Sequence, residues 1–319
     1  MTAYTRVFDV DPGSPNRSRS VEAEFDLVAA GFATVEAAVA LKLGVVPILG
    51  RTITGAATLG ASDNAKLIDL NGAFTLGLTA AATLGDGWWS IWRIGASVVT
   101  VSAVMDGVTG GSLYPGFLYL ARGDGATFTL SKLSGSRREV WTTGTAWVCP
   151  IGVRDATAGA QGGGGSGAKQ PSTGAAGAGG GYASIKFKPV PGTSYAYAIG
   201  AAGTVIAANT TNGNAGSATT FNTGAVTITG SGGPGGVSYS AIITTQGGAA
   251  TNGDLNIAGG HGILHGNALT VGGASVLGRG GQADSTVNLA ATGYGGGGSG
   301  TTNGATGTSA TGGCLVMEF

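Results

Sequence analysis

The sequence predicts a mainly β chain in three parts. A short N-terminal helix of trimeric coiled-coil type comes first. A small antiparallel β-sandwich or barrel follows, and then a glycine-rich C-terminal domain that mixes β-strands with polyglycine helices. Three observations carry this prediction. Residues 21–39 keep an apolar heptad pattern, residues 51–138 alternate apolar and polar residues with turn signals between, and from residue 139 glycine dominates a chain with 64 glycines in 319 residues. The expected modules are therefore 1–50, 51–138 and 139–319.

The first module opens on an arm, FDVDPGSPNRSRS at 8–20, whose prolines, glycine and serines read as extended chain. The helix follows as SVEAEFDLVAAGFATVEAAVALK at 20–42, with Val21, Phe25, Val28, Phe32, Val35 and Val39 at alternating spacings of four and three. That is an a/d seam. Ser20 is placed to cap the helix, and Glu22 and Glu24 lie where its dipole favours anions. So narrow a stripe is not stable alone in water and needs a partner. Packing on its own domain is one solution. Self-association is the stronger reading, because the following residues turn polar and β-like. Aromatic and β-branched residues at a and d favour more than two strands, hence a homotrimer.

In the second module the expected strands are Lys66–Leu70, Ala73–Thr79, Trp88–Ile94, Ser97–Ala103, Phe117–Arg122 and Thr127–Lys132. NG at 71, GDG at 85, DG at 106 and GDG at 123 supply the residues that tight turns with positive φ require. Strands at this spacing read as an antiparallel sandwich or barrel. Trp88, Trp89 and Trp92 suit a carbohydrate platform or, more simply, packing in the core and between protomers.

The third module carries GGGG at 162, GGG at 179, GGPGG at 232 and GGGG at 295. Glycine-rich chain is usually flexible coil. Strand-like segments between these runs, at 182–190, 195–199 and 225–229, and the apolar ending CLVMEF argue for order instead. Runs of glycine order as left-handed threefold helices, because without side chains the backbones approach closely and bond to one another. Loops between runs then become the chemically varied surface.

Composition excludes several functions. Charged residues are 10% of the chain and the formal net charge is +0, against about 25% charged in an ordinary domain. No cationic surplus is available for nucleic acid. Apolar stretches fall short of the ~20 residues of a membrane span, and the N-terminus lacks the apolar core of a secretory signal. The expectation is a chain that folds in a cytosol, with Cys149 and Cys314 reduced and buried, as neighbours if their strands pair.

Catalytic and metal signals are weak. His261 and His265 have a helical metal-ligand spacing, but HGILH follows two glycines and lacks further ligands, so two loop histidines are the plainer reading. GGGGSGAK at 162 lacks the Gly-Lys-Ser/Thr ending of a phosphate loop, and no GxSxG elbow surrounds Ser166 or Ser299. Asp254 and Asp284 are the carboxylate pair a glycosidase would use, though turn residues are their simpler role. No catalytic residue, metal or cofactor is expected.

The stretches ASDNAKLIDLNGAFTL at 61, GDGWWSIWR at 85, LYPGFLYL at 113 and VWTTGTAWVCPIGV at 140, followed by GGGG runs and GCLVMEF, resemble bacteriophage tail fibre and receptor-binding proteins with a glycine-rich C-terminal domain. The resemblance covers residues 60–319 and lies in the order of the pieces. Glycine is scarcer at 195–230 than that pattern has, and no chaperone or cleavage motif is recognisable. It implies a non-enzymatic homotrimer of the virion tail fibre, assembled in the host cytoplasm. Its N-terminus would attach to the baseplate or an upper fibre, and its tip would bind a bacterial surface receptor, a glycan or an outer-membrane protein. Carried over by position, the tip loops are 169–173, 206–214, 237–246, 254–270 and 282–294. Their contact residues are Tyr239, Ile242, Ile243, His261, Ile263, Leu264, His265 and Tyr294. A purely structural tail component and a polysaccharide-degrading spike are the alternatives. A bacterial adhesin would need the missing secretion signal.

Overall fold

The computed structural model describes residues 50–170, 174–206, 211–238, 244–265, 269–284, 288–301 and 307–319. The heptad residues Val21, Phe25, Val28, Phe32, Val35 and Val39 lie outside them. With 43% strand and 3% helix, the protein is mainly β.

Residues 51–134 form strands β1 (Arg51–Ile53), β2 (Ala57–Leu59), β3 (Lys66–Leu70), β4 (Thr75–Leu78), β5 (Asp86–Ile94), β6 (Val99–Val101), β7 (Ser112–Leu113), β8 (Leu118–Asp124) and β9 (Phe128–Ser134), with a helical turn α1 (Ala81–Leu84). The expected strands are present, but the antiparallel arrangement is only half right. The first six strands alternate between two sheets and stack in parallel within each, β1 on β3 on β5 and β2 on β4 on β6. Antiparallel pairing begins with β7 in one sheet and with β8 and β9 in the other. The orders are β1-β3-β5-β8-β9 and β2-β4-β6-β7, and neither closes into a barrel. The reason lies in the turns. Asn71-Gly72 and Gly85-Asp86-Gly87 send the chain across to the other sheet rather than back along itself. Asp106-Gly107, both at positive φ, makes a tight reversal, and Asp124-Gly125 joins β8 to β9.

Inward residues of both sheets fill one core: Ile68, Leu70, Trp92, Ile94 and Tyr119 from the first, Leu59, Leu76, Val99, Val101 and Leu113 from the second. Trp88 and Trp92 are buried in it rather than displayed. Their indole N–H groups donate to Gly60 O (3.1 Å) and Ser90 Oγ (2.6 Å), which removes the cost of burying an unpaired donor.

From residue 138 the strands are β10 (Arg138–Trp141), β11 (Ala146–Val148), β12 (Ala156–Gln161), β13 (Tyr182–Phe187), β14 (Ser194–Ala198), β15 (Thr219–Asn222), β16 (Thr227–Gly230), β17 (Thr244–Thr245), β18 (Ala250–Thr251) and β19 (Leu255–Ile257). They continue as β20 (Gly262–His265), β21 (Leu269–Val271), β22 (Gly278–Arg279), β23 (Gln282–Asp284), β24 (Asn288–Leu289), β25 (Thr292–Gly293) and β26 (Cys314–Glu318). Two sheets, β10-β26-β12-β13-β19 and β11-β14-β15-β16-β18, enclose an aromatic core of Trp147, Phe187, Tyr195 and Phe221. Cys149 follows β11 and Cys314 opens β26, so the two thiols belong to different sheets and are not strand neighbours. Both are buried, and burial pushes each thiol up to about 12.

The two halves share packing. Phe319 sits edge-on against Tyr114 (5.7 Å) and Phe117 (6.4 Å) and also meets Trp147 (5.8 Å). The Arg137 guanidinium lies 4.6 Å from the Tyr114 ring centre. Asp106, whose side chain is only 4% exposed, pairs with Arg154 at 2.6 Å and accepts hydrogen bonds from Leu130 N and Gly152 N.

Candidate functional site

Beyond these sheets the glycine runs form a layer of their own. Their backbone bonds repeat every three residues. Gly162, Gly165 and Ala168 donate to Gly181, Ala178 and Ala175 of one neighbour. Gly163, Ser166 and Lys169 donate to Ser217, Asn214 and Thr211 of a second, and Gly164 donates to Thr311 of a third. The carbonyls behave likewise: Gly163 and Ser166 accept from Gly233 and Gly236, Gly165 and Ala168 from Gly298 and Thr301, and Gly164 from Gly203. These contacts span 2.8–3.3 Å. The 174–181 run repeats the pattern, with Gly174, Gly177 and Gly180 donating to Thr301, Gly298 and Gly295. A β-strand, with a period of two, bonds to one neighbour on each side. Here each central run is surrounded.

Glycine is required for this closeness. A methyl group placed on Gly162, Gly165, Gly177 or Gly180 would collide with backbone atoms of Ser231, Pro234, Gly165 or Gly162. The amides of GGGGS at 162–166 are all committed to protein carbonyls, so this run has none left to cradle a phosphate.

The register fixes two ends. Gly162, Gly181, Ser231 and Gly295 lie level with one another beside β12 and β13, at the inner end. Ala168, Ala175, Thr211, Val237 and Thr301 lie level at the outer end. There a polar clasp ties the ends of neighbouring runs together. Gln170 Nε2 donates to Ser238 Oγ (2.6 Å), Gln170 N donates to Thr301 Oγ1 (2.9 Å), and Ser238 N donates to Asn212 Oδ1 (2.6 Å).

One flank of the layer is a sheet of order β17-β20-β21-β23-β24. Leu264, Thr270 and Ala283 are buried beneath it. The other face displays a row Thr244, Ile263, Val271, Gln282 and Leu289, with His265, Leu269 and Asp284 in the row beside it. Ile263 is 42% and Leu289 55% exposed.

The expected contact residues separate on this frame. His261, Ile263 and His265 are exposed and alternate with buried Gly262 and Leu264 along a strand, so they share the outer face. Leu264 is 3% exposed and lies beneath the sheet. Tyr294 lies away from this face. Its neighbour Gly295 bonds to Gly312 at the inner end, and the Tyr294 carbonyl accepts from Ser275 Oγ. Asp254–Ile257 belongs to the inner end too, where β19 pairs with β13. Tyr239, Ile242 and Ile243 lie outside the described residues. Val271, Gln282, Asp284 and Leu289 complete the face; the two aliphatics were not singled out in sequence, although the alternation in HGILH was a signal that such a face existed.

Among the described residues no group of three or more His, Cys, Asp or Glu is placed to hold a metal. Asp254 accepts from Lys186 N beside β13, whereas Asp284 pairs with Leu269 near the outer end. The extended segment 254–265 separates these levels by roughly 30 Å at about 3.1 Å per residue, far beyond the ~5–9.5 Å between glycosidase carboxylates. Compared with known proteins, the chain matches no family model and no curated sequence.

Proposed function

We propose that this protein is a homotrimeric bacteriophage tail fibre component that attaches the virion to a bacterial surface receptor through the outer end of its glycine-rich part. On this reading residues 1–50 attach and trimerise the chain, and residues 51–138 form a spacer. The glycine runs pack as left-handed threefold helices in a hexagonal array. The observation that carries the proposal is the three-residue hydrogen-bond repeat of a central run with several neighbours, whose outer ends are clasped by side-chain hydrogen bonds. Such a framework spends its backbone polar groups on rigidity and leaves side-chain chemistry to its outer end and flank. A rigid support that presents varied residues is what recognition requires.

The β20–β24 face suits a protein receptor better than a sugar. Its described outward residues include aliphatic Ile263, Val271 and Leu289 with polar His265, Gln282 and Asp284, and no Trp, Tyr or Phe. Sugar platforms use aromatic rings, which supply large flat apolar area with a polar edge. Three copies, and several fibres per particle, would add avidity to modest single contacts.

The test is binding of purified full-length protein to intact candidate host cells. Ile263→Asp combined with Leu289→Asp should reduce binding at least tenfold while thermal unfolding is unchanged. Protease treatment of the cells should abolish binding, whereas periodate should not. Undiminished binding by the double variant would remove this face from the proposal. Binding absent on every susceptible strain would favour a purely structural tail component.

A further inference from the structure

The sandwich of residues 51–134 has two outer faces of unequal character. The sheet β2-β4-β6-β7 presents Thr58, Thr75, Gly77, Thr100 and Ser112 outward, opposite its buried Leu59, Leu76, Val99, Val101 and Leu113. That is ordinary: an open sheet face in water is polar. The sheet β1-β3-β5-β8-β9 differs. Register places Leu67, Ile91 and Leu120 side by side on its outer face, with Trp89 and Leu118 in the flanking rows. Leu133 of β9 adds to the same face and is 49% exposed. Arg93, held by Asp69 in a two-pronged contact at 2.7 and 2.8 Å, and Arg122 frame the patch. Contiguous apolar surface rimmed by polar groups marks a contact site, and aromatic and arginine residues are typical of one.

We propose that this face is where copies of the chain meet around the threefold axis set by residues 21–39. The inference rests on the trimer reading above and adds the surface that continues it. The occupant follows from where the remaining chain begins. The heptad seam runs to Val39, and the helix that the sequence predicts for it ends near Lys42. Residues 43–49 then lead to Gly50 and directly into β1, the edge strand of this sheet. At most about 3.5 Å per residue, that connection spans no more than ~25 Å. A trimer of the helix therefore holds three copies of this sheet close to one axis. Three equivalent apolar faces turned toward that axis bury one another, and closed symmetry limits the contact to three chains.

The test uses full-length protein with single cysteines. Cys149 and Cys314 are buried, so native thiols do not contribute. Leu67→Cys and Leu120→Cys are compared with Thr58→Cys on the hydroxyl-bearing face. Each is treated with a short bismaleimide, and its mass is measured in parallel by sedimentation. The expected result is three times 30.8 kDa in sedimentation, with a covalent species of twice the chain mass for Leu67→Cys and Leu120→Cys and none for Thr58→Cys. A trimer in which Leu67→Cys and Leu120→Cys stay single and react freely with a maleimide would overturn the face and leave the trimer reading standing. Equal cross-linking of Thr58→Cys would also overturn it. A monomer mass would overturn both. So would protection of both cysteines in a monomer, which would assign the cover to residues 1–49 of the same chain.

Discussion

Gly165→Ala is the sharpest probe of the glycine layer. The added methyl would lie within 2.6 Å of three backbone atoms, Pro234 O, Pro234 C and Gly233 O. A carbon and a carbonyl oxygen normally rest about 3.3–3.6 Å apart, so one run must retreat by roughly 1 Å. No flexible side chain is available to yield. The displacement strains the bonds Gly165 N–Ala178 O and Gly298 N–Gly165 O, both 2.9 Å, and their neighbour Gly164 N–Thr311 O. Gly164 and Gly165 are buried. Each buried polar group left unpaired costs about 1–3 kcal/mol. Losing two such groups gives an expected destabilisation of roughly 2–6 kcal/mol. In urea this lowers the unfolding midpoint by roughly 1–2 M, followed by far-UV circular dichroism and tryptophan fluorescence. Gly312→Ala is the control within the same layer. A methyl there meets nothing closer than 3.6 Å, and reduced freedom of the unfolded chain makes the change neutral or favourable by up to ~1 kcal/mol. If Gly165→Ala unfolds within about 0.2 M of the parent, the runs are not packed backbone against backbone and the reasoning fails.

Three further outcomes are expected. Cys149 and Cys314, whose thiols burial pushes up to about 12, should resist a thiol reagent in native protein at pH 8 and react completely in denaturant; rapid labelling before unfolding would contradict their burial. Stability should hold up to about pH 9, the ordinary value of a cysteine, and decline above it. The folded state keeps protons on both thiols and on desolvated Tyr119 that the unfolded chain releases, so the unfolded state binds fewer protons and gains with rising pH. A urea midpoint that rises between pH 9 and 11 would refute this. Asp106→Ala should cost about 1–3 kcal/mol by calorimetry, because it leaves two backbone amides without their acceptor, while the half-exposed Arg154 it also releases returns to water. An effect below about 1 kcal/mol would show that the contact between the two halves does not depend on it.

Much of the fold was legible in the chain. Period-two alternation marked β3, β5, β8 and β9 nearly to their ends, because each has one wet and one dry face that the residues must match. Turn residues marked the breaks, because Asp106, Gly107 and Gly125 need positive φ. The glycine runs marked where backbones could approach closely, but a run that packs and a run that loops read alike; the closeness, at which nothing larger fits, is a finding of the structure. Partner choice was not legible. A turn at Asn71-Gly72 reads the same whether the chain folds back or crosses to a second sheet, so parallel stacking of β1, β3 and β5 emerged only in the assembled core.

The candidate site divides the same way. HGILH reads in sequence as a loop that offers Leu264 together with Ile263; once it is a strand, alternation alone puts His261, Ile263 and His265 on one face and Leu264 on the other. The level at which each segment sits along the layer is different. Glycine has no side chain to encode register, so the position of a run depends on which carbonyl its amide finds. Tertiary packing therefore decided that Tyr294 and Asp254 stand at the inner end and that Ile263, Val271, Gln282 and Leu289 line up in one outward row.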